Sequence, residues 1–172
     1  MAVLNHRKPD GLWVRILKKN SGEATVTYEE ALDEALCFGW IDAQKQRHDD
    51  ASWLQRFTPR RPNSGWSKIN TRHAERLLKA GRMHAAGQAQ MEAAKKDGRW
   101  KVVYDSPRTA TLPRDFLAAL RKNKKAKAFF DSLNKANRYA IAYRLQTAKK
   151  PETKQKRMEM ILAMLKRGEA FH

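Results

Sequence analysis

Apolar residues recur at helical spacing along most of the chain, and this pattern predicts a mostly α-helical protein. The first helix is marked by Thr27 and Glu30, a T-x-x-E capping box in which each side chain satisfies the other residue's backbone amide. Gly39 is expected to end this helix, because glycine adopts the left-handed conformation without strain. The apolar positions of the helix are Tyr28, Ala31, Leu32, Ala35 and Leu36.

The two runs after this helix predict a β-hairpin. Residues 41–47 and 52–58 flank a short polar turn, HDDA. Trp53 and Phe57 fall on one face of the second run, because side chains alternate across a strand. We expect Trp40, Trp53 and Phe57 to pack against the capped helix, which makes the hairpin part of the core.

The rest of the chain returns to helical spacing. Ser67 is expected to cap a helix that ends at Gly81, and a short alanine-rich helix near residues 84–96 precedes an irregular stretch at 101–111. The stripe predicted to be buried on the Ser67 helix is Ile69, His73, Leu77 and Ala80. Later helices are marked by Phe116, Leu117 and Leu120, by Ala126, Phe129, Phe130 and Leu133, by Tyr139, Ile141, Tyr143 and Leu145, and by Met158, Ile161, Leu162 and Leu165.

These elements define the predicted fold class, a mostly α protein with one small β-hairpin (α+β). At 172 residues the chain has the length of one ordinary domain, and a chain of this size buries roughly 70% of its unfolded surface. We therefore expect a compact single unit with two parts, an amino-terminal α+β part at residues 1–109 and a carboxy-terminal helical subdomain at 110–172.

The distribution of charge adds a class of partner. The formal net charge is +18, but residues 1–50 carry seven Lys/Arg and nine Asp/Glu, whereas residues 51–172 carry 29 and nine. A field of this sign attracts nucleic acid, phosphorylated ligands and acidic proteins. Charge alone also promotes solubility, so it favours an anionic partner without naming one.

The location expected from the sequence is the cytoplasm. No apolar run approaches the roughly 18 residues of a membrane helix, and the opening MAVLNHRKPDG has no apolar core of a signal peptide. The single Cys37 cannot form an internal disulfide, which suits a reducing compartment. No membrane span is expected, and the oligomeric state is left open.

The densest group of candidate functional residues is the segment FTPRRPNSGWSKIN at 57–70. Its arginine forks, hydroxyls and helix start offer donors suited to a phosphate or carboxylate, and its tryptophan can stack on a ring. We predict an anion-binding or ligand-binding pocket here, in which Asp42 holds an arginine in place. The predicted site residues are Asp42, Arg56, Arg60, Arg61, Ser64, Trp66, Ser67 and Asn70. Packing is the competing interpretation, since a serine can be only a cap and tryptophans are usually structural.

Catalytic and metal chemistry find less support. Cys37, in ALCFGWID, lies at a helix C-terminus, which disfavours a thiolate, and the sequence pairs it with no histidine. We therefore expect a packed cysteine and no catalytic residue. No C-x-x-C or H-x-x-x-H spacing occurs, so neither a metal site nor a cofactor is expected. The basic run RKNKKAK at 121–127 is interpreted as a solvated helix junction, although such a cluster can also contact phosphates.

The sequence resembles the bacteriocin-protection family, also called YdeI or OmpD-associated. The resemblance rests on YEEALDEALCFGWID, RFTPRRPNSGWSKIN, G-x-M-x-x-x-G at 81–87, DGRW at 97–100, and the later LP-x-x-F-x-x-AL, NRY and AK-x-x-ET segments. Lys154 and Met158 depart from it, because the family pattern leads us to expect arginine and isoleucine there. The resemblance implies a helical family domain at about 110–168 and a role in protection against bacteriocins or antimicrobial peptides. It implies no reaction or catalytic residue.

Three functional interpretations follow. The first is a non-enzymatic cytoplasmic resistance protein that binds an anionic partner, which is favoured by the basic later part. The second is a small-molecule-binding or enzymatic domain whose pocket lies between the hairpin and the 60–70 loop. The third is a nucleic-acid-binding protein. A cationic bacteriocin is a weak direct target, because the net charge of +18 repels it.

Overall fold

The computed structural model describes residues 10–19 and 21–172. The chain divides into two compact units, one formed by residues up to Ser64 together with Asn70–Lys96, and the other by Gly65–Ile69 together with Asp97–His172. Seven α-helices and three strands lie in the described residues, so the protein is mostly helical with a small sheet, as predicted. None of the helices described has the length and apolar character needed to cross a membrane.

A three-stranded antiparallel sheet forms the base of the first unit. It consists of β1 (Leu12–Leu17), β2 (Trp40–Arg47) and β3 (Ser52–Pro59), in the order β1-β3-β2. The predicted hairpin is confirmed as β2 and β3. Strand β1 was not predicted, and it pairs with the other edge of β3, with Trp13 opposite Arg56.

Helix α1 (Tyr28–Cys37) begins with the predicted capping box. The Thr27 backbone amide donates to the Glu30 carboxylate at 2.8 Å, and the Glu30 amide donates to the Thr27 hydroxyl at 3.2 Å. These bonds, the backbone one foremost, hold the pKa of Glu30 below its ordinary value. The chain then turns at Gly39, whose φ is 76°.

The hairpin contributes to the core of this unit as predicted. Trp40 and Phe57 are buried. Trp53 is half-buried, and its ring centroid lies 5.9 Å from that of Tyr28, the first residue of α1. The aromatic side chains of the strands therefore pack against the helix that precedes them.

Two further helices follow the sheet, α2 (Lys68–Lys79) and α3 (Ala85–Lys96). The predicted buried stripe of α2 is partly wrong. Ile69 is 40% exposed and Ala80 is exposed, whereas the buried residues are Asn70, Thr71, Ala74 and Leu77. The buried face of α2 includes two polar residues, Asn70 and Thr71. A prediction from the spacing of apolar residues cannot include them, so it placed the buried face at the wrong angle around the helix.

Helix α3 approaches the end of α1 more closely than a side chain permits. A Cβ atom at Gly87 would lie 2.4 Å from the Cys37 carbonyl oxygen and 2.8 Å from that of Leu36. The His84 amide donates to the same Cys37 carbonyl at 3.1 Å, and the His84 ring stacks on Phe38. The second glycine of G-x-M-x-x-x-G is therefore required by a backbone contact.

The second unit is a group of four helices, α4 (Arg114–Arg121), α5 (Lys124–Ser132), α6 (Lys135–Gln146) and α7 (Pro151–Arg167). Asn123 caps α5 and Asn134 caps α6, each by accepting a backbone amide, and Gly168 ends α7 with φ 78°. The buried core consists of Phe116, Leu120, Ala126, Phe130, Ile141, Leu145, Ile161 and Leu165. The helices predicted from spacing are thus confirmed.

We predict that Gly87→Ala destabilises the protein although alanine is the better helix former. Helix propensity alone would add about 1 kcal/mol of stability, but overpacking against the Cys37 carbonyl costs typically about 1–3 kcal/mol. Urea unfolding is expected to show a net loss. The control is Ala89→Gly at an exposed position of α3, which should cost about 1 kcal/mol by propensity alone. A gain in stability for Gly87→Ala would contradict the close helix approach.

Candidate functional site

The residues predicted to form a site near the hairpin are divided between the two units. Asp42, Arg56, Arg60, Arg61, Ser64 and Asn70 belong to the first unit, and Trp66 and Ser67 belong to the second. Their convergence on one ligand stays a prediction.

Asp42 and Arg56 each form hydrogen bonds with other residues and not with each other. The Tyr28 hydroxyl donates to the Asp42 carboxylate at 2.9 Å, and burial together with this carboxylate raises the pKa of Tyr28. Arg56 donates to Gln44 Oε1 at 2.9 Å and to the Asp10 carbonyl at 2.7 Å. The expectation that Asp42 holds one of the arginines is therefore wrong for Arg56, because Asp42 lies opposite Phe57 in the sheet.

Four of the predicted site residues are buried, namely Arg60, Trp66, Ser67 and Asn70. The Arg60 amide donates to the Gly39 carbonyl at 3.1 Å, which joins the end of β3 to the turn after α1. Trp66 packs against Trp100, with ring centroids 4.7 Å apart. Arg61 is exposed, and its carbonyl accepts the Ser64 amide at 2.9 Å.

The Cys37 corner is packed. Cys37 is 1% exposed, and burial raises the pKa of its thiol, with a smaller contribution from Glu34. A thiol with a raised pKa is a poor nucleophile at neutral pH. Within residues 10–19 and 21–172, no three His, Cys, Asp or Glu side chains come together as a metal site requires.

A different cluster, within the second unit, lines an open pocket. A pocket of about 640 Å³ lies among the 107–112 loop, α4, α5 and α6, and ligand sites typically measure about 300–1,000 Å³. Phe130, Tyr139 and Leu117 supply apolar walls, and Arg108 and Lys135 are exposed cations at the pocket. We call this cluster the cationic pocket.

The third cation of the cationic pocket is held in place by its neighbours. The Arg138 guanidinium lies over the Phe130 ring at 5.4 Å and donates to the Asp131 carbonyl at 2.7 Å. Among the described residues that line the pocket, Arg108, Lys135 and Arg138 are the charged ones, so its lining is positively charged. Guanidinium forks of this kind match the oxygens of phosphates and carboxylates.

The loop that forms one wall of the cationic pocket is anchored by Asp105, which is 5% exposed. Its carboxylate lies 2.7 Å from Lys68 Nζ, accepts Gln146 Nε2 at 2.8 Å and accepts the Thr111 amide at 3.3 Å. Its own amide donates to Gln146 Oε1 at 2.8 Å, and its carbonyl accepts the Tyr139 hydroxyl at 3.3 Å. Asp105 therefore ties both ends of the loop to α6.

Two family models match separate segments of the chain. Residues 109–168 match the family model described as bacteriocin-protection, YdeI or OmpD-associated, as the sequence resemblance predicted. Residues 3–90 match a domain of unknown function, DUF8412. The chain belongs to the DUF8412 family and carries a bacteriocin-protection domain. No curated protein and no solved structure matches it.

Within the bacteriocin-protection domain, an ion pair explains Lys154, which departs from the expected family pattern. Lys154 Nζ lies 2.6 Å from the Asp115 carboxylate, and this hydrogen bond is the main cause that lowers the pKa of Asp115. A single short contact needs one ammonium group rather than a two-pronged guanidinium. Lys149 and Lys150 line a second, smaller pocket beside this ion pair, with a volume of about 420 Å³.

The cationic pocket of the bacteriocin-protection domain was missed in the sequence. Its cations lie at 108, 135 and 138, which no local motif joins, and the loop at 101–111 showed only an irregular pattern. The signal in the sequence is indirect: an acid, Asp105, stands at the start of the loop, close to Pro107 and Arg108. Spacing does not show that Asp105 is buried.

We predict that Asp105→Asn lowers stability in a pH-dependent way. Burial opposes ionisation of Asp105, but the hydrogen bonds from Lys68 and Gln146 outweigh it, and its pKa lies below the ordinary value. A lowered carboxyl pKa stabilises the fold above the unfolded value of about 3.9, and this stabilisation is lost as the pH falls through the folded value. At pH 7 the variant should lose about 1.5–3 kcal/mol, as for hydrogen bonds to a charged group.

Urea unfolding of both proteins between pH 7 and pH 3 provides the measurement. The difference between wild type and Asp105→Asn should shrink as the pH falls. Asp131→Asn, which removes an exposed carboxylate, serves as the control and should change little at pH 7. A constant difference across this range would contradict the role of the Asp105 charge.

Proposed function

We propose that the protein is a non-enzymatic binding protein for an anionic partner, and that its bacteriocin-protection domain holds this partner. The observation that carries the proposal is the cationic pocket, where three basic side chains meet apolar and aromatic walls. A binding site of this composition attracts charge at its rim and excludes water at its base.

The composition of the cationic pocket favours a ligand with two parts. Arg108 and Lys135 form no hydrogen bond or ion pair with the described residues, so their donors are available to phosphate or carboxylate oxygens. The Phe130 and Tyr139 side chains offer surfaces for a ring or an apolar group. A phosphorylated ligand with an aromatic part fits this arrangement best.

The charge of the surrounding unit supports the same partner class. Within residues 109–168, sixteen Lys/Arg stand against four Asp/Glu. Such a field raises the local concentration of anions and speeds their arrival. The field brings an anion to the domain, and the cationic pocket then supplies the specific contacts.

The role we propose for this binding is protection against bacteriocins or envelope stress, which the family description supports. A cytoplasmic location is part of the proposal and rests on the single Cys37, which cannot form an internal disulfide and suits a reducing compartment. An anion contact at the exposed Arg61 remains a second, separate prediction for the first unit.

We predict that ATP, used as a probe with phosphates and a ring, binds the cationic pocket. Calorimetry should show that Arg108→Ala and Lys135→Ala each weaken ATP binding by roughly tenfold, as for one charge-assisted hydrogen bond. Lys166→Ala is the matched control, because it removes one exposed positive charge from α7 outside the pocket. Equal losses for all three variants would mean that net charge alone attracts the probe, which would contradict a pocket.

Nucleic acid is the second partner that the basic charge favours, and salt dependence separates it from a small ligand. Each phosphate neutralised on duplex DNA adds about −0.9 to the slope of log affinity against log salt. A protein that binds nucleic acid through its bulk charge should show a slope of several units. Lys124→Ala, in the 121–127 run, should then weaken DNA binding as much as Arg108→Ala does. We expect instead that Lys124→Ala leaves ATP binding nearly unchanged.

A further inference from the structure

The first unit contains an apolar pocket that the proposed function does not use. It measures about 200 Å³ and is lined by Leu12 and Val14 of β1, Phe57 of β3, Ala31 and Ala35 of α1, and the preceding Val26. Trp40 and Phe38 also line it, and among the described lining residues the charged ones are Glu30 and Glu34. We call this cluster the acidic-rim pocket. Its volume is below that of most small-molecule sites and suits one large apolar side chain.

The acidic-rim pocket exists because α1 leaves part of the sheet uncovered. Helix α1 packs mainly on β2, at the opposite edge of the sheet from β1. Leu12 and Val14 of β1 therefore line an opening instead of a closed core. Val26, which also lines the pocket, is 41% exposed.

The sequence around this pocket is acidic, in contrast to the chain as a whole. Residues 21–44 contain six carboxylates and no lysine or arginine. The six are Glu23, Glu29, Glu30, Asp33, Glu34 and Asp42. Only Glu30 and Glu34 of these six line the pocket, and Asp33 is paired with His73 and Arg76. Because charges in water are screened beyond about 8 Å at physiological salt, Glu30 and Glu34 affect the field at the pocket more than the total charge of +18 does. The pocket therefore favours a cation beside an apolar group.

The strand that lines the acidic-rim pocket also has an unpaired edge. In the part of the chain that the structure describes, β1 pairs with β3 on one side and with no strand on the other. An extended peptide can add to such an edge by backbone hydrogen bonds, and its alternate side chains then enter adjacent pockets. A peptide on β1 would place an apolar side chain near Leu12 and Val14.

We propose that the acidic-rim pocket is a docking site for a cationic peptide segment, in which one large apolar side chain is flanked by lysine or arginine. The apolar side chain fills the pocket, the edge of β1 orients the backbone, and Glu34 faces the flanking cations. The Glu34 side chain is 46% exposed, and its carboxylate forms an ion pair with the exposed Arg82 at 3.7 Å. Exposed ion pairs are weak, so a cationic peptide can compete with Arg82 for Glu34.

The test uses a synthetic peptide of alternating lysine and leucine, with isothermal titration calorimetry as the readout. Val26→Ser should weaken binding, because it removes apolar surface from the pocket lining, and Ala31→Phe should abolish measurable binding, because it fills the pocket. Glu34→Gln should weaken binding about two- to fivefold, as for one partly exposed charge pair. Glu92→Gln, which removes an exposed carboxylate from α3, should have little effect.

Circular dichroism checks the fold of each variant. If Ala31→Phe does not fold, Val26→Ser still tests the pocket, because Val26 is exposed and its replacement should not disturb the core. A peptide of alternating glutamate and leucine should not bind. Arg108→Ala should leave the peptide affinity unchanged, which separates this site from the cationic pocket. Equal binding by the glutamate peptide, equal losses for Glu34→Gln and Glu92→Gln, or a concentration-dependent dimer that buries Val26 would each overturn the proposal.

Discussion

A buried carboxylate holds the second unit in the arrangement on which its proposed site depends. Asp105 is almost inaccessible, and a buried charge is tolerated only when its oxygens are hydrogen-bonded. Lys68, Gln146 and Thr111 satisfy those oxygens, so their positions are set by one group. The loop between Asp105 and Thr111 presents Arg108 to the cationic pocket. The stability of this unit and the shape of its pocket therefore rest on the same contacts.

The two halves of the chain offer different chemistry to a partner. The bacteriocin-protection domain is strongly basic and has a roomy pocket lined by three cations. The DUF8412 half has a smaller apolar pocket within its acidic stretch at residues 21–44. The net charge of +18 averages over these surroundings and hides the second one. A cationic partner that the total charge would repel can thus still find a favourable local field.

The sequence predicted the elements whose signals are local. The Thr27 capping box, the hairpin and the later helices follow from neighbouring residues, and the structure confirms them. Strand β1 depends on pairing with β3, some 40 residues away, which no local pattern shows. The stripe on α2 was misplaced because Asn70 and Thr71 are buried polar residues. The cationic pocket could not be predicted for the reason that applies to β1. Its residues are distant in the sequence and meet only when α6 packs beside the 107–112 loop.

The central claim is that a defined pocket, and not diffuse charge, binds anions in the bacteriocin-protection domain. Backbone amide shifts measured by NMR during a titration with ATP test it most directly. The account predicts saturable changes confined to residues 107–112 and 135–142, which form two walls of the cationic pocket. Changes that grow without saturation and are spread over the exposed lysines of residues 121–127 would contradict it.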